Sequence, residues 1–185
     1  MGRLIYGSNA SVDGWTEMAD GDFAWAPPDD EVFAFITGLM ASTSTYLYGR
    51  RMYETLAVWE TDPSLGAHSD LHAAYARAWQ AADKVVYSST LDEPRTERTR
   101  IERRFDPEAV RSVKDDATGD LLIGGPHLAA QALAAGLVDE VQLWVWPTVL
   151  GGRNPALSTE RRVDLDLIDE HRFANGVVHL RYQVR

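Results

Sequence analysis

Short apolar runs recur along the first two thirds of the chain and end in small or polar residues, a pattern typical of buried strands. These runs are Leu4–Ser8, Tyr46–Gly49, Lys84–Ser88 and Leu121–Ile123. Between them, apolar residues spaced three and four positions apart predict helices. Asp29 or Asp30 is predicted to cap the first helix and Asp70 to cap the third. The other helices are predicted to begin at Arg51, Pro107 and Pro126, and Gly136 ends the last one. The polar stretch from Asn9 to Pro28 is predicted to be one long loop.

The last third of the chain changes to alternation of aliphatic residues with polar or aromatic ones. Val141–Trp146 and Val178–Val184 both follow this rule, which predicts two long strands with unlike faces. Trp144 and Trp146 share one face, where we expect a dimer interface. Strands that alternate with helices imply a mostly parallel sheet, and the closing pair of strands implies an antiparallel edge. The expected fold is one three-layer α/β domain that spans residues 1–185.

Charge and composition exclude several classes of partner. Eighteen basic and 28 acidic side chains give a net charge of −10, which opposes binding to nucleic acid or to an anionic membrane. The chain has no cysteine, so disulfides, thiolate catalysis and cysteine-bound metals are excluded. His68 and His72 have helical spacing but no third partner, and we expect no metal site. No signal segment or membrane span is evident, and a cytoplasmic location is expected.

Three of the predicted strands end in residues suited to holding phosphate. The first group is Gly49, Arg50 and Arg51, the second is Ser88, Ser89 and Thr90, and the third is Gly124, Gly125, Pro126, His127 and Leu128. They offer guanidinium groups, hydroxyl groups, and a glycine pair at a helix start. Each alone has a plain alternative, as solvated arginines or ordinary turn residues. Because parallel strands end at the same edge of a sheet, their joint occurrence predicts one site for a phosphorylated dinucleotide.

The order of motifs along the chain resembles a known family. After Ser11-x-Asp13-Gly14 come the sequences YGRRMYE, VVYSSTL, IGGPHLAAQAL, GLVDEV and PTVLGG. This order resembles the dihydrofolate reductase-like proteins, and within them the branch typified by the reductase domain of bacterial riboflavin biosynthesis. The resemblance covers almost the whole chain. It implies a dihydrofolate reductase-like fold, NADPH as the hydride donor, and a homodimer.

The resemblance also implies roles for the three strand-end groups. The first group matches the stretch that holds cofactor phosphates, the second lies near the adenosine 2'-phosphate, and the third cradles the pyrophosphate. Asp13 is the only acid between Ser8 and Trp15 that could relay a proton to a substrate, so we rank it first for catalysis. A plain Asp-Gly turn is the alternative. Asn9, Trp15 and Trp25 are expected to contact a planar substrate, although aromatic residues often cover a core instead.

The expected function is therefore an NADPH-dependent reductase that transfers hydride to a small heterocycle or a sugar-linked pyrimidine. Reductases of riboflavin biosynthesis are usually fused to a deaminase, whose zinc-binding signature does not occur in this sequence, so we expect a stand-alone reductase. Two alternatives stay open: a non-catalytic, dimeric NADPH-binding module, and a true dihydrofolate reductase. The first helix offers only Asp29, Asp30 and Glu31 as acids, which argues against folate as the substrate.

Overall fold

Eight strands form the central sheet of the computed structural model, which describes residues 1–185. They are β1 Leu4–Ser11, β3 Thr43–Gly49, β4 Asp83–Tyr87, β5 Thr99–Glu102, β6 Asp120–Gly124, β7 Glu140–Trp146, β9 Leu165–Arg172 and β10 Val178–Val184. Their order in the sheet is β5-β4-β3-β6-β1-β7-β10-β9. A separate antiparallel ribbon pairs β2 Trp15–Glu17 with β8 Arg153–Pro155.

The sheet is parallel from β5 to β7, and β10 runs antiparallel to both of its neighbours. The helices are α1 Asp30–Met40, α2 Arg50–Leu56, α3 Val58–Thr61, α4 Pro63–Gly66, α5 Asp70–Ala81, α6 Pro107–Asp116 and α7 Pro126–Ala134. They lie on both faces of the sheet. The predicted three-layer α/β fold, with its mostly parallel sheet and antiparallel edge strands, is confirmed.

Alternation along the strands divides the interior into two main cores. Leu47 of β3 faces α6 and α7, whose side chains Val110 and Ala129 are fully buried with it. Its neighbours Tyr46 and Tyr48 face the opposite side, and their rings stack 5.2 Å apart beneath α1, α2 and α5. Burial of such large side chains stabilises the fold by roughly 1.5–3 kcal/mol each. The alternation therefore fixes the register of β3 between its two helical layers.

Several local predictions are corrected by long-range pairing. The region Asn9–Pro28 is not one loop, because β1 continues to Ser11 along β7 and Trp15–Glu17 pairs with β8. Helix α5 is capped by Ser69, whose Oγ accepts a hydrogen bond from the His72 backbone N–H at 3.2 Å, and not by Asp70. Strands β5 and β9 and the one-turn helices α3 and α4 were not predicted, since none carries a distinct apolar pattern.

Trp144 does not form an exposed dimer interface. It is 7% exposed and packs in a third, smaller core with Val32, Phe173 and Val177 beneath α1. Trp146 lies at the edge of this cluster and is partly exposed. Trp144 is therefore not available for the predicted interface, because α1 covers it.

Other features of the fold bear on binding partners. No helix is long and apolar enough to cross a membrane. No group of three or more histidine, aspartate or glutamate side chains could hold a metal ion.

Candidate active site

A cleft of about 430 Å³ opens where β3 and β4 end and α7 begins. Five of the residues predicted to hold a cofactor line it: Gly49, Ser88, Ser89, His127 and Leu128. They come together because β3, β4 and β6 are adjacent parallel strands and end at the same edge of the sheet. The cleft thus joins the three strand ends that the sequence singled out.

The glycine pair before α7 leaves the backbone open to a ligand at Gly125 and makes room for the Tyr48 ring at Gly124. Gly125 has a φ of +96°, a conformation that favours glycine, and nothing lies within 4 Å of where its Cβ would be. A Cβ on Gly124 would lie only 3.0 Å from the Tyr48 ring. Pro126 is the first residue of α7, so the N–H groups of His127 and Leu128 lie in its unpaired first turn. The helix start can therefore receive an anionic group.

Two arginines that the sequence analysis did not select lie across the cleft. Arg103 and Arg104 follow β5 and line the cleft together with Phe105. Arg103 Nη1 donates to the backbone oxygens of Leu91 at 2.7 Å and Ser88 at 3.3 Å. Arg104 is exposed and its side chain has no hydrogen-bond or ion-pair partner within the chain. The sequence does contain an Arg-Arg pair after a short strand. The pair did not stand out, because the chain is rich in arginine and β5 was not predicted.

The three hydroxyl-bearing residues after β4 play different parts. Ser88 and Thr90 form hydrogen bonds within the protein, and Ser89 lies at the cleft. Ser88 is buried, and its Oγ accepts from the backbone N–H groups of Leu91 at 2.9 Å and Thr90 at 3.2 Å. This is the ordinary turn that the sequence left open as an alternative. Thr90 Oγ1 accepts from Arg50 Nη1 at 2.6 Å. Ser89 is exposed at the cleft and is the member of the group best placed to donate to a ligand.

The structure does not bring Arg50 and Arg51 together. Arg50 binds Thr90 and also donates to Glu54 Oε1 at 3.0 Å. Arg51 turns the other way: it donates to Glu17 Oε1 and to the Gly21 carbonyl, both at 2.6 Å, and lies 4.8 Å over the Phe23 ring. Neither guanidinium lines the cleft. Arg51 instead ties the loop after β2 to the start of α2.

The Asp13 carboxylate holds two loops together by hydrogen bonds at the end of β1. Its Oδ1 accepts from Ser11 Oγ at 2.6 Å and from the Leu150 N–H at 3.0 Å, and its Oδ2 accepts from the Gly151 N–H at 2.8 Å. These hydrogen bonds lower the pKa of Asp13 to about 2, and the bond from Ser11 has the largest effect. The carboxylate is therefore ionised at neutral pH, with both oxygens engaged. This geometry favours a positioning role over the expected proton relay.

Two of the three predicted substrate residues meet at Trp146. Asn9 Oδ1 accepts from the Trp146 indole N–H at 3.1 Å, and the Trp25 ring lies edge-on to Trp146 at 6.3 Å. Trp25 in turn donates to the Thr16 carbonyl at 2.9 Å. Trp15, the third predicted residue, lies opposite Pro155 in the ribbon. Trp146 is a further candidate that sequence reasoning assigned to a dimer interface.

The ribbon is fastened to the helix that borders the cleft. His127 Nε2 and Asn154 Oδ1 are 3.2 Å apart, and Asn154 accepts through its backbone oxygen from Thr16 Oγ1 at 2.8 Å. Tyr6 Oη donates to the Ala156 carbonyl at 2.5 Å from beneath. Hydrogen bonds through the ribbon therefore connect the phosphate-suited cleft to the aromatic wall, which is the surface formed by Asn9, Trp25 and Trp146.

Comparison with known sequences identifies the family. The family model of the RibD C-terminal domain matches residues 3–179. The chain belongs to the RibD C-terminal domain family. This confirms the resemblance drawn from the motif order and places the protein among reductase-like proteins, which typically use a nicotinamide cofactor.

Two relatives match this RibD C-terminal domain protein over nearly their whole length. The uncharacterized protein YyaP of Bacillus subtilis is 25% identical over 181 residues, which are 97% of this chain and 94% of YyaP. A putative riboflavin biosynthesis protein from Shewanella sp. PV-4 superposes with a TM-score of 0.77 at 17% identity, and 99% of each chain is covered.

A longer relative is the diaminohydroxyphosphoribosylaminopyrimidine deaminase/5-amino-6-(5-phosphoribosylamino)uracil reductase of Thermotoga maritima. It superposes with a TM-score of 0.65 at 14% identity. The superposition covers 98% of this chain and 56% of the Thermotoga chain. This RibD C-terminal domain protein thus corresponds to about half of that enzyme.

Proposed function

We propose that this protein is an NADPH-dependent reductase of a small heterocycle or a sugar-linked pyrimidine. The observation that carries the proposal is the cleft in which Gly49, Ser89, Arg104 and the start of α7 face one another. Backbone N–H groups, a hydroxyl and an unpaired guanidinium together suit a ligand with several phosphates. A nicotinamide dinucleotide, the cofactor typical of the family, has this chemistry.

The residues present fit such a cofactor. The bare backbone at Gly125 and the first turn of α7 suit the pyrophosphate, because no Cβ blocks the approach. Arg104, with Arg103 beside it, suits the additional 2'-phosphate that distinguishes NADPH from NADH. Ser89 lies in the same cleft and can donate to the same group. Arg51 can reach a phosphate only after it leaves Glu17, so we assign it to the loop and not to the cofactor.

The chain's own contribution to the reaction is binding and orientation. A bound nicotinamide supplies the hydride, as in other enzymes of this chemistry. Trp25 and Trp146 offer aromatic surface against which a planar substrate can lie, and the exposed Asn9 adds a polar group beside them. Trp25 and Trp146 are held by hydrogen bonds to Thr16 and Asn9, so little ordering of this aromatic surface is left for the substrate to bring about.

Asp13 serves in this proposal as a positioning residue. It holds the Leu150–Gly151 turn against the end of β1, and that turn leads directly into the ribbon strand β8. Because its pKa is about 2, it does not carry a proton to donate at neutral pH. A proton needed by the product would then come from solvent or from the substrate itself.

The substrate class is supported by the site and by the relatives. The Thermotoga enzyme is named as a reductase of a phosphoribosylamino-uracil, a planar pyrimidine linked to a sugar. Folate is disfavoured because two of the three acids at the start of the first helix are engaged elsewhere. Asp29 accepts from the Val32 N–H at 3.0 Å as the helix cap, and Glu31 accepts from the Ala174 N–H at 3.0 Å.

A second candidate function is a non-catalytic NADPH-binding module. The hydrogen-bonded carboxylate of Asp13 favours it, since Asp13 is the only acid between Ser8 and Trp15. Turnover separates the two functions. We would follow the loss of NADPH absorbance with a panel of pyrimidines, ribosylamino-pyrimidines and dihydrofolate. Oxidation with any pyrimidine supports the reductase, whereas NADPH binding without oxidation by any compound supports the binding module.

A further inference from the structure

The ribbon of β2 and β8 is short and lies outside the central sheet. Each strand has three residues, and they pair in register at Trp15 with Pro155 and at Glu17 with Arg153. An isolated pair of strands is only marginally stable in water. The order of this ribbon therefore depends on the side chains that fasten it to the rest of the protein.

One of the side chains that fasten the ribbon also lines the cofactor cleft. The fastening side chains include Tyr6, Asp13, Arg51 and His127. Of these four, only His127 lines the cleft. It is exposed and is the second residue of α7, so its backbone N–H lies in the unpaired first turn of that helix. A phosphate bound at this helix start would therefore lie beside His127.

Asn154, the partner of His127 in the ribbon, has a backbone conformation that side chains rarely adopt. Its φ is +58°, in the left-handed region, which asparagine tolerates better than most residues do. Two hydrogen bonds hold it there. Its backbone oxygen accepts from Thr16 Oγ1 at 2.8 Å, and its Oδ1 accepts from His127 Nε2 at 3.2 Å. Because a strained residue persists only where its neighbours hold it, loss of the His127 bond should loosen β8.

The ribbon in turn supports the aromatic wall. Thr16 lies between the paired positions of β2, and its backbone oxygen accepts from the Trp25 indole N–H at 2.9 Å. Trp25 lies edge-on to Trp146, which forms the rest of the wall with Asn9. A continuous series of hydrogen bonds thus connects the start of α7, through Asn154 and Thr16, to Trp25.

We propose that His127 is a positioning residue that couples occupancy of the cleft to the order of the ribbon. The inference rests on the proposed function, because it requires a nucleotide phosphate at the start of α7. In the free protein, water competes for the bond between exposed His127 and Asn154. A phosphorylated ligand in the cleft displaces that water, and a hydrogen bond in less polar surroundings is stronger.

The consequence of this coupling is a preferred state for substrate binding. Nucleotide binding orders the ribbon and, through Thr16, the Trp25 ring of the aromatic wall. By linkage, a substrate that lies on this wall binds more tightly to the NADPH-loaded protein than to the free protein. The substrate raises the affinity for NADPH by the same factor.

Hydrogen–deuterium exchange of the backbone amides, followed by mass spectrometry, tests the coupling without a known substrate. NADPH is added at about ten times the Kd that calorimetry gives for each variant, so that all samples are equally occupied. In the wild type we expect the amides of β2 and β8 to exchange at least about threefold more slowly with NADPH than without it. The amides of α5, which packs against α1 and α4, are the internal control and should not change.

Three variants separate the hydrogen bond from other effects. His127→Ala should abolish the NADPH-dependent protection of the ribbon, and His127→Gln should keep it, because a glutamine amide can donate to the same oxygen. Asn154→Gly removes the acceptor but adopts a φ of +58° freely, so it should also abolish the protection. Gln131→Ala is the matched control, because Gln131 lines the same cleft and donates only within α7, to the His127 carbonyl at 3.4 Å. It should keep the protection.

NADPH binding by each variant shows that the variant is folded. If the wild type binds NADPH and its ribbon amides exchange at the same rate as before, the coupling is wrong while the proposed function stands. Protection that survives both His127→Ala and Asn154→Gly would also overturn the coupling, since the nucleotide would then order the ribbon by direct contact. Loss of protection in His127→Gln would contradict a hydrogen bond as the link. A wild type that does not bind NADPH would refute the proposed function and this inference together.

Discussion

Removal of the Arg104 side chain should reduce the preference for NADPH over NADH. In the structure this guanidinium makes no bond within the protein, so Arg104→Ala breaks nothing that holds the fold. Arg103 differs, because its two bonds to backbone oxygens support the turn at Ser88–Leu91. Arg104→Ala is therefore the cleaner probe of a phosphate contact in the cleft.

The magnitude follows from the kind of contact. A charge-assisted hydrogen bond contributes about 1.5–3 kcal/mol, which corresponds to roughly a 10- to 150-fold change in Kd. The cleft is open to solvent, so we expect the lower end, about tenfold weaker NADPH binding. NADH lacks the 2'-phosphate, and its Kd should change by less than about twofold. The NADPH Kd of Arg104→Lys should lie between those of the wild type and Arg104→Ala, since lysine keeps the charge but loses the planar guanidinium fork.

The assay is calorimetric titration of each variant with both nucleotides at fixed ionic strength. Arg77→Ala is the matched control, because Arg77 is exposed on α5 and also unpaired, yet lies outside the cleft. It should leave both affinities unchanged. Equal weakening of NADPH and NADH by Arg104→Ala would place the side chain on a shared phosphate. No change for either nucleotide would remove Arg104 from the cofactor site and refute the reasoning.

Three further predictions concern a loop, a glycine and a buried histidine. Asp13→Asn should lower turnover while the NADPH Kd stays within about twofold, measured by steady-state rates and calorimetry; unchanged turnover would end its positioning role. Gly125→Ala should lower the free energy of unfolding by roughly 1–2 kcal/mol in urea titrations, because its φ of +96° strains any Cβ, and should weaken both nucleotides alike. Burial lowers the pKa of His179 to about 4, so between pH 4 and 6.5 the unfolded chain binds the extra proton. Unfolding free energy should therefore fall by up to about 2 kcal/mol from pH 7 to 5, and His179→Gln, tested by the same titrations, should remove that part of the slope.

Local sequence signals were sufficient for the elements that position the site. The apolar runs located β3, β4 and β6, and Pro126 marked the start of α7 as the structure has it. These features depend on neighbouring residues and on turn chemistry, which a sequence displays directly. The joint occurrence of suitable residues at three strand ends was enough to predict one cleft.

Features that depend on distant partners could not be predicted. Arg51 and Arg50 are adjacent in sequence, but Glu17 and Thr90 draw their side chains apart. Trp144 has the pattern of an exposed strand face, and only the packing of α1 shows that it is buried. Arg104 could be selected only once β5 was known to be the next strand in the sheet.

The central claim is that this cleft binds NADPH, and direct titration of the wild-type protein tests it most simply. We expect micromolar affinity for NADPH and at least about tenfold weaker binding of NADH, since one guanidinium contact supplies that difference. Failure of both nucleotides to bind at millimolar concentration would contradict the account, because the fold would then be retained without the cofactor site.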